Sequence, residues 1–192
     1  DAKYYDAAFD DKNRAPSSMS PPVVKDGVVD PTHMRTQADY HFAMGEAFSL
    51  DGNHAKAVEA FKSVLIYDSE APQVHLRLAS EYVKMGMLTE ALEHTEIAIK
   101  KQPKLVDAHL LLGGLYSTLK AYDKAIGEYE TVLKIEPKNV EAPLYMGAVF
   151  AERKQYEKAV KCFEGLTKND EYPNTHLAYY YIGRVRSEQQ GQ

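Results

Sequence analysis

Residues 72–105 read PQVHLRLASEYVKMGMLTEALEHTEIAIKKQPKL, and residues 106–139 read VDAHLLLGGLYSTLKAYDKAIGEYETVLKIEPKN. In the first stretch Leu76, Leu78, Ala79 and Tyr82 fall on one apolar stripe at helical spacing. Gly86 interrupts the stripe between Met85 and Met87, and Leu88, Ala91, Leu92, Ile97 and Ala98 make a second one. Pro103 stops the second helix, because proline lacks an N–H and clashes with the preceding turn. The stretch is therefore two helices joined by a tight turn, and the next 34 residues repeat the pattern.

The repeat extends well beyond these two units. Ala57, Ala91, Ala125 and Ala159 are spaced by 34 residues, as are Gly45, Ala79, Gly113 and Gly147. A fixed period of this size is the mark of a solenoid. Small side chains let two helices cross closely, and larger neighbours fill the flanks. On first helices these are Tyr82, Tyr116 and Phe150; on second helices they are Phe61, Tyr129 and Phe163. One pair cannot bury both of its stripes alone, so the pairs must stack. The fold class that follows is all-α, a solenoid of antiparallel helix pairs.

The columns Gly45–Phe48–Ala57–Phe61, Ala79–Tyr82–Ala91–Ala98–Pro103, Gly113–Tyr116–Ala125–Tyr129–Pro137 and Gly147–Phe150–Ala159–Phe163 resemble the tetratricopeptide repeat (TPR) over roughly 38–190. The resemblance implies a right-handed superhelix with four repeats at 38–71, 72–105, 106–139 and 140–175. The fourth is two residues long, with the insertion placed in 168–175. Residues 176–192, with Gly183 in the small-residue column, act as a capping helix or a truncated fifth repeat. The sequence departs from the family pattern in places. His41, His75, His109 and Pro143 stand where tryptophan is usual, Thr95 replaces an aromatic, and Ser69 holds the place of the closing proline.

Residues 1–37 carry Pro16, Pro21, Pro22 and Pro31 with Ser17, Ser18 and Ser20, and show no apolar periodicity. They read as a flexible tail. Tyr4, Tyr5 and Phe9 make its start more apolar than a linker needs, which suggests a docking segment alongside the plain-tail reading. The start at Asp1 reads as a processed or cut chain. The compartment stays open between the cytoplasm and a tether to the cell envelope through a preceding segment.

Composition excludes several function classes. A net charge of -5 over 192 residues gives no general draw toward nucleic acid or anionic membrane. No apolar run is long enough to span a bilayer. Cys162 is the one cysteine, so no intrachain disulfide forms, and it reads as a packing residue. Equivalent histidines in successive pairs sit about 10 Å apart, far from the ~2 Å that zinc ligation needs. No metal or other cofactor is expected. Charges such as Lys124 and Glu128 read as solvated helix faces, and no catalytic constellation is present, so a non-enzyme is expected.

The family resemblance implies that offsets two, five, nine and twelve of each unit face the concave side. Offset five reads Phe42, Leu76, Leu110, Leu144 and Tyr180, an apolar ladder. Around it stand Glu46, Arg77, Ser80, Lys84, Gly114, Tyr145, Ala148 and Arg184. Such a line, if solvent-facing, calls for a covering partner, an apolar peptide segment or helix held in the groove. The competing reading is that tight curvature lets these rungs pack on adjacent first helices. A well-known branch of the family grips a terminal carboxylate with Lys and Asn at offsets five and nine and basic residues at two and six of the next unit. Here Leu76, Ser80, Asp107 and Leu111 occupy those places, so carboxylate-clamp binding of chaperone tails is not expected. A self-assembly module, stacking through the Tyr179–Tyr180–Tyr181 end or through the tail, is the alternative to the scaffold reading.

Overall fold

The computed structural model describes residues 31–191. Its helices are α1 (Pro31–Leu50), α2 (His54–Tyr67), α3 (Pro72–Lys84), α4 (Leu88–Lys101), α5 (Val106–Thr118), α6 (Tyr122–Ile135), α7 (Glu141–Glu152), α8 (Tyr156–Thr167) and α9 (Thr175–Gln190). Each packs on the next, giving the pairs α1/α2, α3/α4, α5/α6 and α7/α8 with α9 against α8. The first helices α3, α5 and α7 also touch in succession. The described residues form an all-α solenoid.

One boundary differs from the sequence reading. Residues 31–37, assigned above to the tail, are the first turns of α1. Pro31 is compatible with that position because the first helical N–H has no partner to lose. These turns are largely exposed, so no apolar stripe announces them. The docking segment Tyr4, Tyr5 and Phe9 lies outside the described residues.

The turn inside each pair repeats with the period. Gly52 (φ 73°), Gly86 (φ 74°), Lys120 (φ 58°) and Lys154 (φ 58°) all take the left-handed conformation. In each turn the next residue's N–H reaches back to an aromatic carbonyl: Asn53 to Phe48 at 2.8 Å, Met87 to Tyr82 at 2.9 Å, Ala121 to Tyr116 at 2.8 Å and Gln155 to Phe150 at 2.8 Å. This is the Schellman end of a helix, which needs one left-handed residue.

The small-residue columns mark the closest approaches. Ala57, Ala91, Ala125 and Ala159 are all 0% exposed. A Cβ on Gly45 would lie 2.5 Å from the Phe61 ring, and one on Gly147 would lie 2.5 Å from the Phe163 ring. One on Gly113 would overlap the Tyr129 ring. Glycine is thus required by an aromatic ring seated against its helix, always from the second helix of the same pair. In the second pair the corresponding places hold Ala79 and Thr95, both fully buried.

Between α8 and α9 the connection runs over 168–174, where 102–105 suffices between α4 and α5. The longer loop is docked. Tyr172 is buried in the cluster of Ala159, Phe163 and Ile182. Asn169 Nδ2 donates to the Lys138 carbonyl at 2.9 Å, and Lys138 Nζ lies 3.2 Å from Glu171.

Candidate functional site

The first helices α3 and α5 wall a cavity of about 940 Å³, closed at its ends by Phe42 from α1 and by Glu141 and Tyr145 from α7. Seven of the residues expected in the groove line it: Phe42, Leu76, Arg77, Ser80, Leu110, Gly114 and Tyr145. Val83, at offset twelve, lines it as well, as do Leu88, Leu111, Leu115, Thr118 and Tyr129, which fall outside the concave offsets. Gly114 differs in kind from Gly113 beside it. A Cβ on Gly114 would meet nothing within 4 Å, so the cavity is open over this point.

The ladder is less solvent-facing than an unbroken exposed line. Phe42, Leu76, Leu110 and Leu144 are half-buried, and Tyr180 alone among the five is exposed. Contacts within the helix pairs, and for Leu144 with α9 as well, take up part of the ladder. Phe42 packs edge-on against Phe61 at 5.6 Å, and Leu144 joins the cluster around Phe163 and Ile182. Leu144, Ala148, Tyr180 and Arg184 do not line the cavity. Arg184 instead lies over the Tyr180 ring, 6.0 Å from its centre.

Most charges near the groove are internally paired. Arg77 Nη2 donates to Glu46 Oε2 at 3.0 Å. Its Nε lies 2.9 Å from Oε1, close enough for charge pairing although not aligned as a hydrogen bond. Lys84 Nζ donates to Glu81 at 2.7 Å, and Glu81 also accepts from Ser49 at 2.7 Å and contacts His54 Nδ1 at 2.8 Å. Burial alone would raise the Glu81 carboxyl. The hydrogen bonds from Lys84, Ser49 and His54 outweigh it and hold the group below the ordinary range. Asp107 and Glu141 line the cavity with no ion pair among the described residues. Burial, and then the Glu141 carboxylate, raise the Tyr145 phenol.

The histidine column is taken up by contacts inside each pair and, for His109, with the connection that precedes it. His41 stacks on Tyr67 at 5.8 Å. His75 Nδ1 meets His94 Nδ1 at 2.9 Å, and His94 stacks in turn on Tyr82 at 5.5 Å. His109 bridges Glu128 Oε2 at 2.7 Å and the Pro103 carbonyl at 2.9 Å. Glu128 is therefore not the solvated partner of Lys124. Lys124 Nζ sits over the Tyr116 ring at 5.3 Å, as Lys56 does over Phe48 and Lys158 over Phe150, each at 5.5 Å. The sequence carries this signal, since Lys56, Lys124 and Lys158 share the repeat period. Cys162 is half-buried, and burial pushes its thiol up, away from the reactive thiolate.

Two sequence profiles described as tetratricopeptide repeat match residues 76–140 and 118–174. No curated protein matches the chain in sequence. Among solved structures, the crystal structure of MamA is similar with a TM-score of 0.71 and 19% identity, over 81% of this chain and 84% of that one. YrrB, a TPR protein with an unusual peptide-binding site, gives 0.63 at 20% identity over 79% and 77%. The first TPR of Spaghetti, bound to the HSP90 peptide SRMEEVD, gives 0.59 at 20% identity over 62% and 94%. No helix among the described residues is long and apolar enough to cross a membrane. With the columns, the left-handed turns and the aromatic rings seated on glycines all following one 34-residue period, the chain belongs to the tetratricopeptide repeat family, whose non-catalytic helix-pair fold is a scaffold for contacts between proteins.

Proposed function

We propose that this protein is a scaffold that holds an apolar segment of a protein partner, extended or helical, in the cavity between α3 and α5. The observation that carries the reading is the opening at Gly114. The floor around it is built from Leu76, Leu110, Leu111 and Leu115, and the space above the glycine is free. An apolar side chain seated there would cover surface that the curvature leaves half-exposed, in the helix-in-groove manner. Peptide binding by Spaghetti and YrrB supports the reading by analogy of fold. The partner is not an acidic chaperone tail, because Leu76, Ser80, Asp107 and Leu111 supply neither the amide nor the cations of a carboxylate clamp.

Two substitutions test the groove from opposite sides. Leu110→Asp places a charge on the floor, and Gly114→Leu fills the opening. The second is expected to keep or raise stability, since glycine inside a helix costs about 1 kcal/mol relative to good helix formers. Affinity capture with wild type and both variants should lose the same partners in each variant. Retention of all partners by a folded Gly114→Leu protein would overturn the groove reading.

A second reading, self-association through α9, has its own observation. In three pairs the small-residue column receives an aromatic ring, whereas a Cβ on Gly183 would meet nothing within 4 Å. Tyr179 and Tyr180 beside it are 64% and 58% exposed. Light scattering over a concentration series tests this, and a strict monomer at high concentration removes it.

A further inference from the structure

The chemistry of the groove points beyond apolarity to the charge of its occupant. We infer that the segment it takes carries a lysine or arginine next to its apolar stretch, lodged at Asp107 and Glu141. This rests on the groove reading above.

The argument is one of uncompensated charge. Three charged side chains line the cavity, Arg77, Asp107 and Glu141. Arg77 is neutralised by the two-point contact with Glu46. Lys84, the next cation along α3, is taken by Glu81 at 2.7 Å. Asp107 makes no ion pair or side-chain hydrogen bond among the described residues, and Glu141 has only the neutral phenol of Tyr145 beside it. The groove therefore presents two carboxylates without a counter-ion among the described residues, and no unpaired cation. Both belong to the same column, at the start of α5 and of α7, so they face the same edge of the apolar floor. The helix N-termini make these positions favourable for carboxylates in the free protein, so they stand ready without a partner. A low-dielectric wall strengthens their field at the groove and steers a cationic ligand in. An acidic segment would meet repulsion at this edge, which is the reverse of the carboxylate clamp.

The test uses two fluorescent synthetic peptides with the same leucine–alanine stretch and blocked ends, one flanked by lysines and the other by glutamates. Binding to the full chain is read by anisotropy at low and high salt. The lysine-flanked peptide is expected to bind about tenfold more tightly at low salt, with the gap closing as salt screens it. Asp107→Asn with Glu141→Gln should abolish the gap. Glu93→Gln with Glu130→Gln, which removes equal charge from the second helices, should leave it in place. Leu110→Asp should weaken both peptides. Equal binding of the two peptides, tighter binding of the glutamate-flanked one, or a gap lost equally in the second-helix control would overturn the charge inference and leave the groove reading standing. Failure of both peptides to bind wild type would overturn the groove reading and this inference together.

Discussion

The second and third helix pairs answer one packing problem in opposite ways. In the third, Gly113 removes a side chain from α5 and the Tyr129 ring of α6 fills the space. In the second, Ala79 and Thr95 take the same two places. The aromatic mass moves sideways, into a stack of His75 on His94 at 5.2 Å and of His94 on Tyr82 at 5.5 Å. The flanking aromatic changes partner in step. Tyr116 in the third pair lies under Lys124, whereas Glu90 holds that place in the second. The period thus fixes neither residue of the two positions sixteen apart. The volume that Ala79 and Thr95 leave, compared with a glycine and a tyrosine ring, is made up by a third residue, His94, as a close-packed contact requires.

The largest expected effect comes from moving one solution into the other pair. Tyr129→Thr alone should cost about 3 kcal/mol, the usual loss for removing a buried ring. Gly113→Ala alone should cost about 1–3 kcal/mol, because its Cβ overlaps the Tyr129 ring. Together they put the second pair's two residues into the third, and Gly113→Ala should then become stabilising, through helix propensity and lost void. Urea unfolding of the four proteins, followed by circular dichroism, closes the double-mutant cycle. Additive losses would break the idea that the two columns are halves of one contact.

A smaller effect separates the pairs by pH. Desolvation, then the charges of His94 and Lys101, lower His75 to about 4, and burial lowers His94 as well. The unfolded chain titrates near the ordinary 6.5, so between these values it binds more protons than the folded state. Stability is therefore intact above pH 6.5 and falls as pH drops toward 4, by no more than about 3 kcal/mol for His75. His75→Phe should flatten this acid limb, read from melting temperature against pH. An unchanged limb would mean that the histidine stack of the second pair does not carry it.

Much of this was legible in the residues, and the gaps have physical reasons. The helix pairs and the small columns follow from period alone, because every unit repeats the same local geometry. The coupling of Ala79 to Thr95 was also in the sequence, sixteen residues apart. It needed the contact to show that one departure answers the other. Lys56, Lys124 and Lys158 repeat as strictly as the glycines, yet a lysine over a ring looks like any surface charge until the ring is placed. The groove was read less well. Offset five names Phe42 through Tyr180 as equivalents, but curvature is set by how successive first helices pack. That packing sets Leu144 against the core cluster of α8 and α9 and leaves Tyr180 outside the cavity. Tyr172 could not be foreseen, since the insertion that carries it breaks the register used to find everything else.

The smallest effect concerns the turns of the same two pairs. Gly86 and Lys120 hold equivalent left-handed positions, at φ 74° and 58°. Lysine there meets the Cβ–carbonyl crowding that disfavours the left-handed region, at about 1–2 kcal/mol. Glycine avoids the crowding and loses more chain entropy on folding, by about 0.4–1 kcal/mol. The difference favours glycine slightly. Lys120→Gly should stabilise the chain by about 0.5 kcal/mol, and Gly86→Ala should destabilise it by about 1 kcal/mol. No atom lies within 4 Å of a Cβ at Gly86, so that loss is conformational and not steric. Both shifts are measurable as changes in the urea midpoint at unchanged slope. If Lys120→Gly lowered the midpoint instead, lysine at this turn would be held by something other than its backbone, and the two turns would differ in kind as the two cores do.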